Sequence, residues 1–161
     1  MIVLNILADV LYDLLRPDKP NVPPRNTCDI TYLYNEHRTL NKHIPTNRWG
    51  RSWQNILRTD IAIGDDIERI RLTRNELQHS KAFKLDENRF NELCIIILDI
   101  LKRFDQHNKP SKLYTDHLNE VLTSKVSAEE VKVVQHHIEN EKKSELVIEV
   151  EIEHQLNVSP Q

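Results

Sequence analysis

The sequence holds few glycines, few cysteines and no long apolar run, and each shortage excludes a class of protein. Two glycines in 161 residues argue against a hairpin-rich β fold and against a glycine-rich phosphate loop. The two cysteines, Cys28 and Cys94, allow at most one disulfide. No apolar segment approaches the roughly 20 residues that a membrane-spanning helix needs.

The N-terminus also lacks the features of a signal peptide. MIVLNILADVLYDLLRP carries Asp9 and Asp13 and no basic residue ahead of its apolar part, which indicates an amphipathic helix. Because the chain shows neither a targeting segment nor a cysteine framework, we expect a cytoplasmic protein in a reducing setting, without membrane contact. Cys94 lies within an apolar helical run, where a reduced core cysteine is expected.

Charge is distributed unevenly along a chain whose composition is otherwise that of a globular domain. Hydrophobic residues make up 39% and charged residues 29%, and the net charge is -3. Residues 25–84 contain eleven lysines and arginines against seven acids, whereas residues 127–161 contain three against eight. A basic middle beside an acidic tail permits a local anionic partner although the whole chain is acidic.

Apolar residues recur every three or four positions along most of the chain, which predicts an all-α fold. We expect an up-and-down bundle of about five to six helices, with the bundle proper over residues 1–125. The second helix is expected to reach Ile44, and the fourth, apolar on most faces, to lie at the centre. The predicted helices begin at the N-terminus, at the N-cap Asp29, near Ser52, near Asp65, near Asp86 and at Pro110.

Two connections carry candidate binding residues. RPDKPNVPPR, residues 16–25, has the P-x-x-P-x-x-P spacing of either a stiff interhelix connection or a ligand for an SH3-like protein partner. TNRWGRSWQNI, residues 46–56, interleaves Arg48 and Arg51 with Trp49 and Trp53. These four side chains are candidates for RNA binding by phosphate contact and base stacking. The tryptophans could equally close the end of the bundle.

Residues 126–161 have a different character from the bundle. Ser127-Ala-Glu-Glu is a capping box that predicts a further helix. LVIEVEIE, residues 146–153, alternates apolar and acidic side chains as a strand does. Because one strand cannot stand alone, this acidic tail is the start of another domain, a strand that pairs with another chain, or the continuation of a helix.

In RLTRNELQHS, residues 71–80, an arginine interrupts an apolar helical stripe. Arg74 stands in the stripe formed by Ile63, Ile67, Ile70 and Leu77. A guanidinium in such a position needs a partner or an opening to solvent. Asn75 and His79 share a helix face, whereas Arg74 and His79 lie about 140° apart on an ideal helix. They can meet at one ligand only if the helix distorts near its end, or if two copies of the site face each other.

These residue types suit cleavage of the RNA backbone. Histidine can take the proton of the 2'-hydroxyl or protonate the leaving oxygen near neutral pH, and arginine stabilises charge on phosphate. His79 is therefore the predicted acid/base, Arg74 the phosphate ligand and Asn75 the positioning residue, with Arg71 as a further RNA contact. No cysteine and histidine spacing indicates a metal site, and no metal or cofactor is expected. His37, in the second helical stripe, is interpreted as a core histidine, with a place in the cleft as the alternative.

Several segments resemble the HEPN (higher eukaryotes and prokaryotes nucleotide-binding) family. Its hallmark is an arginine followed after four to six residues by a histidine, often with asparagine directly after the arginine, as in Arg74, Asn75 and His79. Three longer segments, which cover much of residues 1–125, resemble the HEPN domain of the DAZ-interacting zinc-finger ubiquitin ligase group: CDITYLYNEHRTLNKHIP, TDIAIGDDIERIRLTRNELQHS and FNELCIIILDILKRFDQH.

The resemblance implies a helical bundle that forms a homodimer, with the Arg-His pairs of two protomers in one composite cleft. Many HEPN members are metal-independent endoribonucleases that act on single-stranded RNA and leave a 2',3'-cyclic phosphate. Others bind RNA, dimerise or contact proteins without catalysis, and that is the alternative for this chain. Two departures limit the transfer: Lys81 stands where the toxin branch has tyrosine, and two cysteines cannot build a RING.

Overall fold

The predicted all-α fold is confirmed in a computed structural model that describes residues 2–79 and 86–125. These residues contain five α-helices, two short 3₁₀ helices at Arg25–Thr27 and Trp53–Asn55, and no strand. The α-helices are α1 (Ile2–Leu15), α2 (Ile30–Leu40), α3 (Ile63–His79), α4 (Glu87–Asn108) and α5 (Tyr114–Lys125). The expected short helix near Ser52 is the second 3₁₀ helix, for which Ser52 is the N-cap residue.

The core of the bundle is built around α1. Half of this helix is buried, because leucines and isoleucines at three- and four-residue spacing cover one broad face. The face packs against each of the other four helices, whereas α4 packs against α1, α3 and α5. The expectation that α4 is the central helix is therefore wrong: α4 is long and apolar, but its place is beside α1.

The proline-rich connection is fastened to α1. The Tyr12 hydroxyl donates to the carbonyl of Pro23 at 3.0 Å, and the Arg25 guanidinium pairs with Asp9 at 2.6 Å. Arg25 also donates to the Asn5 carbonyl at 2.8 Å, so the chain has returned along α1 before α2 begins. These contacts make the segment a stiff interhelix connection that is tied to its own domain.

The second helix begins as predicted and ends earlier than predicted. Asp29 is its N-cap, since its carboxylate accepts the backbone N–H of Tyr32 at 2.8 Å. Asn41 takes a left-handed conformation with φ 53° and stops the helix at Leu40. Ile44, expected inside the helix, is therefore 56% exposed in the following loop. The apolar spacing continues through Ile44, but the left-handed backbone at Asn41 ends the helix before that residue.

His37 is a core histidine, as the sequence favoured. Its ring is 2% exposed, and Nε2 lies 2.9 Å from the carbonyl oxygen of Leu11 on α1. Burial lowers the pKa of His37, which keeps the ring neutral. The alternative role of His37 as a cleft residue does not agree with this position.

The first turn of α3 is pressed against the preceding loop. At Gly64 a Cβ atom would overlap the backbone of residues 43–45, so only glycine permits this approach. Asp65 accepts the backbone N–H of Ala62 at 3.1 Å, which caps the new helix. The helix thus starts at Ile63, two residues before the expected start, and its first turn contains Asp65 and Asp66.

The junction of α4 and α5 is also fixed by an acidic side chain. The predicted start near Asp86 is confirmed, since Asp86 is the N-cap of α4, and Lys109, with φ 49°, ends the helix. Asp105 accepts the backbone N–H of Tyr114 at 2.6 Å, so α5 begins at Tyr114 and not at the expected Pro110.

Cys28 and Cys94 are both free thiols, and burial raises the pKa of Cys94 to about 12.

Some predictions lie outside the described residues. They are the helix from Ser127, the strand at residues 146–153, the division of the chain at residue 126 and the departure at Lys81. Within residues 2–79 and 86–125, no helix combines the length and apolarity that crossing a bilayer requires.

Candidate functional site

The predicted site residues lie on the C-terminal half of α3. Arg74 and Asn75 are half-buried and His79 is exposed at the last position of the helix. The Arg74 Nη1 donates to the side-chain oxygen of Asn75 at 3.0 Å. The Nδ1 of His79 lies 2.6 Å from the backbone carbonyl oxygen of Asn75. Asn75 therefore contacts both of its predicted partners, one through its side chain and one through its backbone.

The contact to Asn75 fixes the tautomer of a neutral His79. A carbonyl oxygen can only accept, so the hydrogen must sit on Nδ1 of the imidazole. The other ring nitrogen, Nε2, then carries a free lone pair. This is the form of histidine that can take a proton from a hydroxyl group.

The helix is continuous through His79, and this decides which side chains share a face. Over five residues the rise is about 7.5 Å and the rotation about 140°, so Arg74 and His79 of one protomer face different directions. Arg71, Asn75 and His79 follow at intervals of four residues and form one stripe. A single protomer therefore groups His79 with Asn75 and Arg71, and a shared ligand for Arg74 and His79 would require a second copy.

Arg74 differs electrostatically from the other arginines of α3. Arg69 pairs with Asp66 at 2.9 Å and Arg71 with Glu68 at 3.2 Å. Within the part of the chain that the structure describes, the polar partner of Arg74 is the neutral amide of Asn75. Its positive charge is therefore not compensated by a carboxylate.

The N-terminal half of α3 holds most of a buried charge network, which we define as Arg51, Asp60, Asp65, Asp66, Glu68 and Arg69. All six side chains are less than 10% exposed. Arg51 is the centre: Nη2 pairs with Asp65, Nη1 lies 3.5 Å from Asp60, and the backbone N–H donates to Glu68 at 2.8 Å. Arg103 of α4 adds a two-pronged contact to Asp66 at 2.7 and 2.8 Å.

Arg51 is therefore not an RNA contact, contrary to the prediction from its surroundings in the sequence. Its guanidinium is 2% exposed and faces carboxylates. Burial raises the pKa of Asp65, but hydrogen bonds from Thr46 and Arg51 outweigh it and hold the pKa below its usual range. Arg51 and Asp65 form a buried ion pair that joins the loop before α3 to the helix.

Arg71 and Trp49 meet at Tyr34 of α2. The Arg71 guanidinium lies over the Tyr34 ring, 5.3 Å from its centre, and donates to the carbonyl of Arg51 at 2.5 Å. Trp49 approaches the same ring edge-on at 5.8 Å, and its indole N–H donates to Asn41 at 2.9 Å. Both side chains are half-buried. They pack against the bundle, as the second interpretation of this segment proposed, and each keeps part of its surface open.

Trp53 belongs to a second cluster, which sequence reasoning missed. Its indole N–H donates to Glu76 at 3.0 Å, and the Arg89 guanidinium lies 5.2 Å from its ring centre. Arg89 binds Glu76 through two nitrogens, with Nη2 at 2.6 Å. Hydrogen bonding to Arg89 lowers the pKa of Glu76. This cluster links α3 to the first turn of α4, and two charges 13 residues apart gave no sequence signal for it.

Among the predicted RNA contacts of residues 46–56, Arg48 is the exposed one. Arg38 of α2 is also exposed and lies close to this segment, because its Nη1 would be 3.6 Å from a Cβ at Gly50. Sequence reasoning missed Arg38, which stands on α2 without a motif around it. In residues 2–79 and 86–125 no three histidines, cysteines or carboxylates are grouped as metal ligands would be.

Comparison with known proteins adds no relative. No model of a protein family matches the sequence, and no curated protein and no solved structure matches it. The function therefore has to be inferred from the geometry of this chain.

Proposed function

We propose that this protein is an RNA-directed HEPN-type domain that cleaves single-stranded RNA without a metal ion, as a homodimer. The observation that carries the proposal is the contrast within α3: Arg69 and Arg71 are paired with acids, whereas Arg74 has no acid partner in residues 2–79 and 86–125. An uncompensated guanidinium five residues before an exposed histidine is suited to phosphate when two copies of the site face each other. The HEPN-like order Arg74-Asn75, then His79, supports the same interpretation.

The proposed reaction uses both copies of the site. The Nε2 of one His79 takes the proton of the ribose 2'-hydroxyl, and the 2'-oxygen bonds to phosphorus. The bond from phosphorus to the 5'-oxygen breaks, and the second His79, which enters the reaction as the imidazolium, gives that oxygen the proton on its Nε2. Arg74 of the facing copy holds the phosphate oxygens as negative charge develops on them. The products are a 2',3'-cyclic phosphate and a 5'-hydroxyl, and DNA, which lacks the nucleophile, is not cut.

A non-catalytic module that binds RNA or dimerises is the second candidate. It is favoured by the rotation of about 140° between Arg74 and His79, since one protomer alone does not bring them to one phosphate. The two candidates differ in one property, because only the enzyme needs the free lone pair on Nε2 of His79.

The test is cleavage of a fluorescent single-stranded RNA in the presence of EDTA by wild type, His79→Ala and Arg74→Ala. We expect each substitution to slow cleavage by about 10²- to 10⁴-fold, the usual contribution of a positioned acid/base. Lys112→Ala, which removes a charge at the connection of α4 and α5, is the control and should cleave as wild type does.

Two further measurements complete the experiment: the chemistry of the product ends, and the cleavage of a substrate with one altered sugar. Wild type should leave cyclic phosphate ends, and an RNA with a single 2'-deoxy sugar at the cleavage position should stay intact there. RNA binding without cleavage would establish the non-catalytic module. Equal cleavage by wild type and His79→Ala would contradict the proposed roles, and absence of both binding and cleavage would end the RNA assignment.

A further inference from the structure

The stripe that contains His79 leads to a group of arginine and aromatic side chains on another helix. Arg71 is eight residues before His79, about 12 Å along the axis, and Asn75 lies between them. Arg71 in turn lies over Tyr34, the residue that Trp49 meets edge-on. The stripe of α3 thus continues onto α2 and onto the loop that carries Trp49.

Arg38 stands at the far end of this path. Its guanidinium lies against Gly50, and Arg71 donates to the carbonyl of Arg51, the next residue. Since neighbouring Cα atoms are about 3.8 Å apart, the two guanidinium groups contact the loop one residue step from each other. Gly50 has φ +80°, a conformation that favours glycine, and it turns the loop between the two arginines.

Of the two arginines on the path, Arg71 shares an acid with other groups, and Arg38 has none among the described residues. Glu68 is buried and already binds Arg51 and Tyr34, besides Arg71. Arg38 is exposed and is given no carboxylate partner within the described part of the chain. A half-buried tryptophan beside one exposed and one half-buried arginine is typical of sites for single-stranded nucleic acid, where phosphates meet the cations and bases stack on the ring.

We propose that Arg38 binds a phosphate of the same RNA strand whose cleavage site lies at His79. The strand runs from His79 over Asn75 and Arg71 to Arg38 and Trp49, and each end of the dimer offers one such path. This inference deepens the proposed function and rests on it. It replaces Arg51 and Trp53, which face the protein, with Arg38 as an RNA contact.

The contacts of Arg71 with its neighbours fix its side chain in the middle of the path. One of its terminal nitrogens, Nη2, is occupied by Glu68 and the Arg51 carbonyl, and the ring of Tyr34 supports the guanidinium plane. The side chain is 22% exposed. Arg71 is therefore held rigidly in the middle of the path, whereas Arg38 is the open cation that a phosphate can reach without breaking an ion pair.

The experiment is the salt dependence of binding of a fluorescent uridine oligonucleotide to wild type, Arg38→Gln, Arg38→Lys and the control Lys112→Gln. Each phosphate contact to a single strand contributes about 0.7 to the slope of log K against log salt. Arg38→Gln should lower that slope by about 0.7 and weaken binding about fivefold at 0.1 M salt. Arg38→Lys should keep the slope, and Lys112→Gln should match wild type.

The outcomes separate this inference from the proposed function. If wild type binds the oligonucleotide and Arg38→Gln binds with the same slope, the path over Arg38 is wrong while the RNA-directed function stands. If wild type does not bind the oligonucleotide, the proposed RNA-directed function is itself contradicted. Preference for a polyglutamate peptide over the oligonucleotide would assign the arginines to an acidic protein partner and would overturn the path. Thermal unfolding of Arg38→Gln should match wild type, since glutamine is a good helix former at an exposed position.

Discussion

The two halves of α3 use charged side chains in opposite ways. In the first half, Asp65, Asp66, Glu68 and Arg69 are buried and satisfied by partners from the preceding loop and from α4. In the second half, Arg74 and Asn75 are half-buried and His79 is exposed, and no carboxylate of the described residues pairs with Arg74. In sequence, both halves contain acidic and basic side chains.

The difference shows that burial decides whether a charged side chain must be paired inside the fold or can remain available to a ligand. A buried arginine must be paired, because desolvation of an isolated guanidinium costs far more than folding can supply. A half-exposed arginine can stay unpaired and remain available to an anion. The first half of α3 therefore fixes the position of the loop over residues 46–62, and the second half is free to bind a ligand.

The largest effect on the free energy of unfolding is expected for a substitution of Asp65. Asp65→Ala leaves the buried Arg51 with the longer contact to Asp60 and a hydrogen bond to the Asn55 carbonyl, and should lower the free energy of unfolding by about 3–5 kcal/mol. The measurement is urea denaturation followed by circular dichroism. The double variant Asp65→Ala/Arg51→Met, which removes both charges, should lose less than the sum of the two single variants. Additive losses would show that the two side chains do not act as a pair.

An intermediate effect, which depends on pH, is expected at Glu76. The pKa of Glu76 is lowered in the folded protein by Arg89, so the folded state binds its proton less readily than the unfolded state. The stabilisation from this pair is therefore fully present above the unfolded pKa of about 4.5 and is lost as the pH falls through the lower, folded value.

Glu76→Gln should remove about 1–2 kcal/mol at pH 7, a figure kept low because the pair is partly exposed to solvent. The same variant should lose less stability than wild type on acidification below pH 4.5. Unfolding curves at pH 7 and at pH 3 measure both quantities. A wild type and a Glu76→Gln protein with parallel pH profiles would contradict the assigned cause of the pKa shift.

The smallest effect on stability is expected where the largest effect on activity is proposed. Arg74→Gln and His79→Gln should each change the free energy of unfolding by no more than about 0.5 kcal/mol, as surface substitutions usually do. Thermal unfolding of the two variants beside Asp65→Ala measures this directly. A loss of 2 kcal/mol or more at Arg74 would mean that its role is structural and would weaken the contrast between the two halves.

The helical signals of the sequence were strong enough to place most of the fold. Spacing and capping residues located four of the five helices to within about two residues at their starts, because Asp29 and Asp86 act locally. The end of α2 was misplaced, since an apolar residue at Ile44 continued the stripe while Asn41 broke the backbone. The centre of the bundle was assigned to the most apolar helix, although packing around α1 depends on neighbours that periodicity does not report.

The site was predicted in part. Arg74, Asn75 and His79 were selected because an arginine in an apolar stripe breaks a local pattern, and their role stays a prediction. Arg51 was assigned to the surface because arginine beside tryptophan looks the same in sequence whether it faces solvent or a buried aspartate. Arg38 and the pair of Glu76 with Arg89 were missed, since their partners come from other elements of the fold.

By itself, the sequence determined the secondary structure, the amphipathic faces and the position of a helical Arg-Asn-His group, because these depend on residues within one or two turns of each other. Only the tertiary structure decided which arginines are neutralised and which are open. That choice depends on where carboxylates from distant segments come to lie: Asp65 and Glu68 meet Arg51 inside the bundle, while no acid reaches Arg74 among the residues that the structure describes.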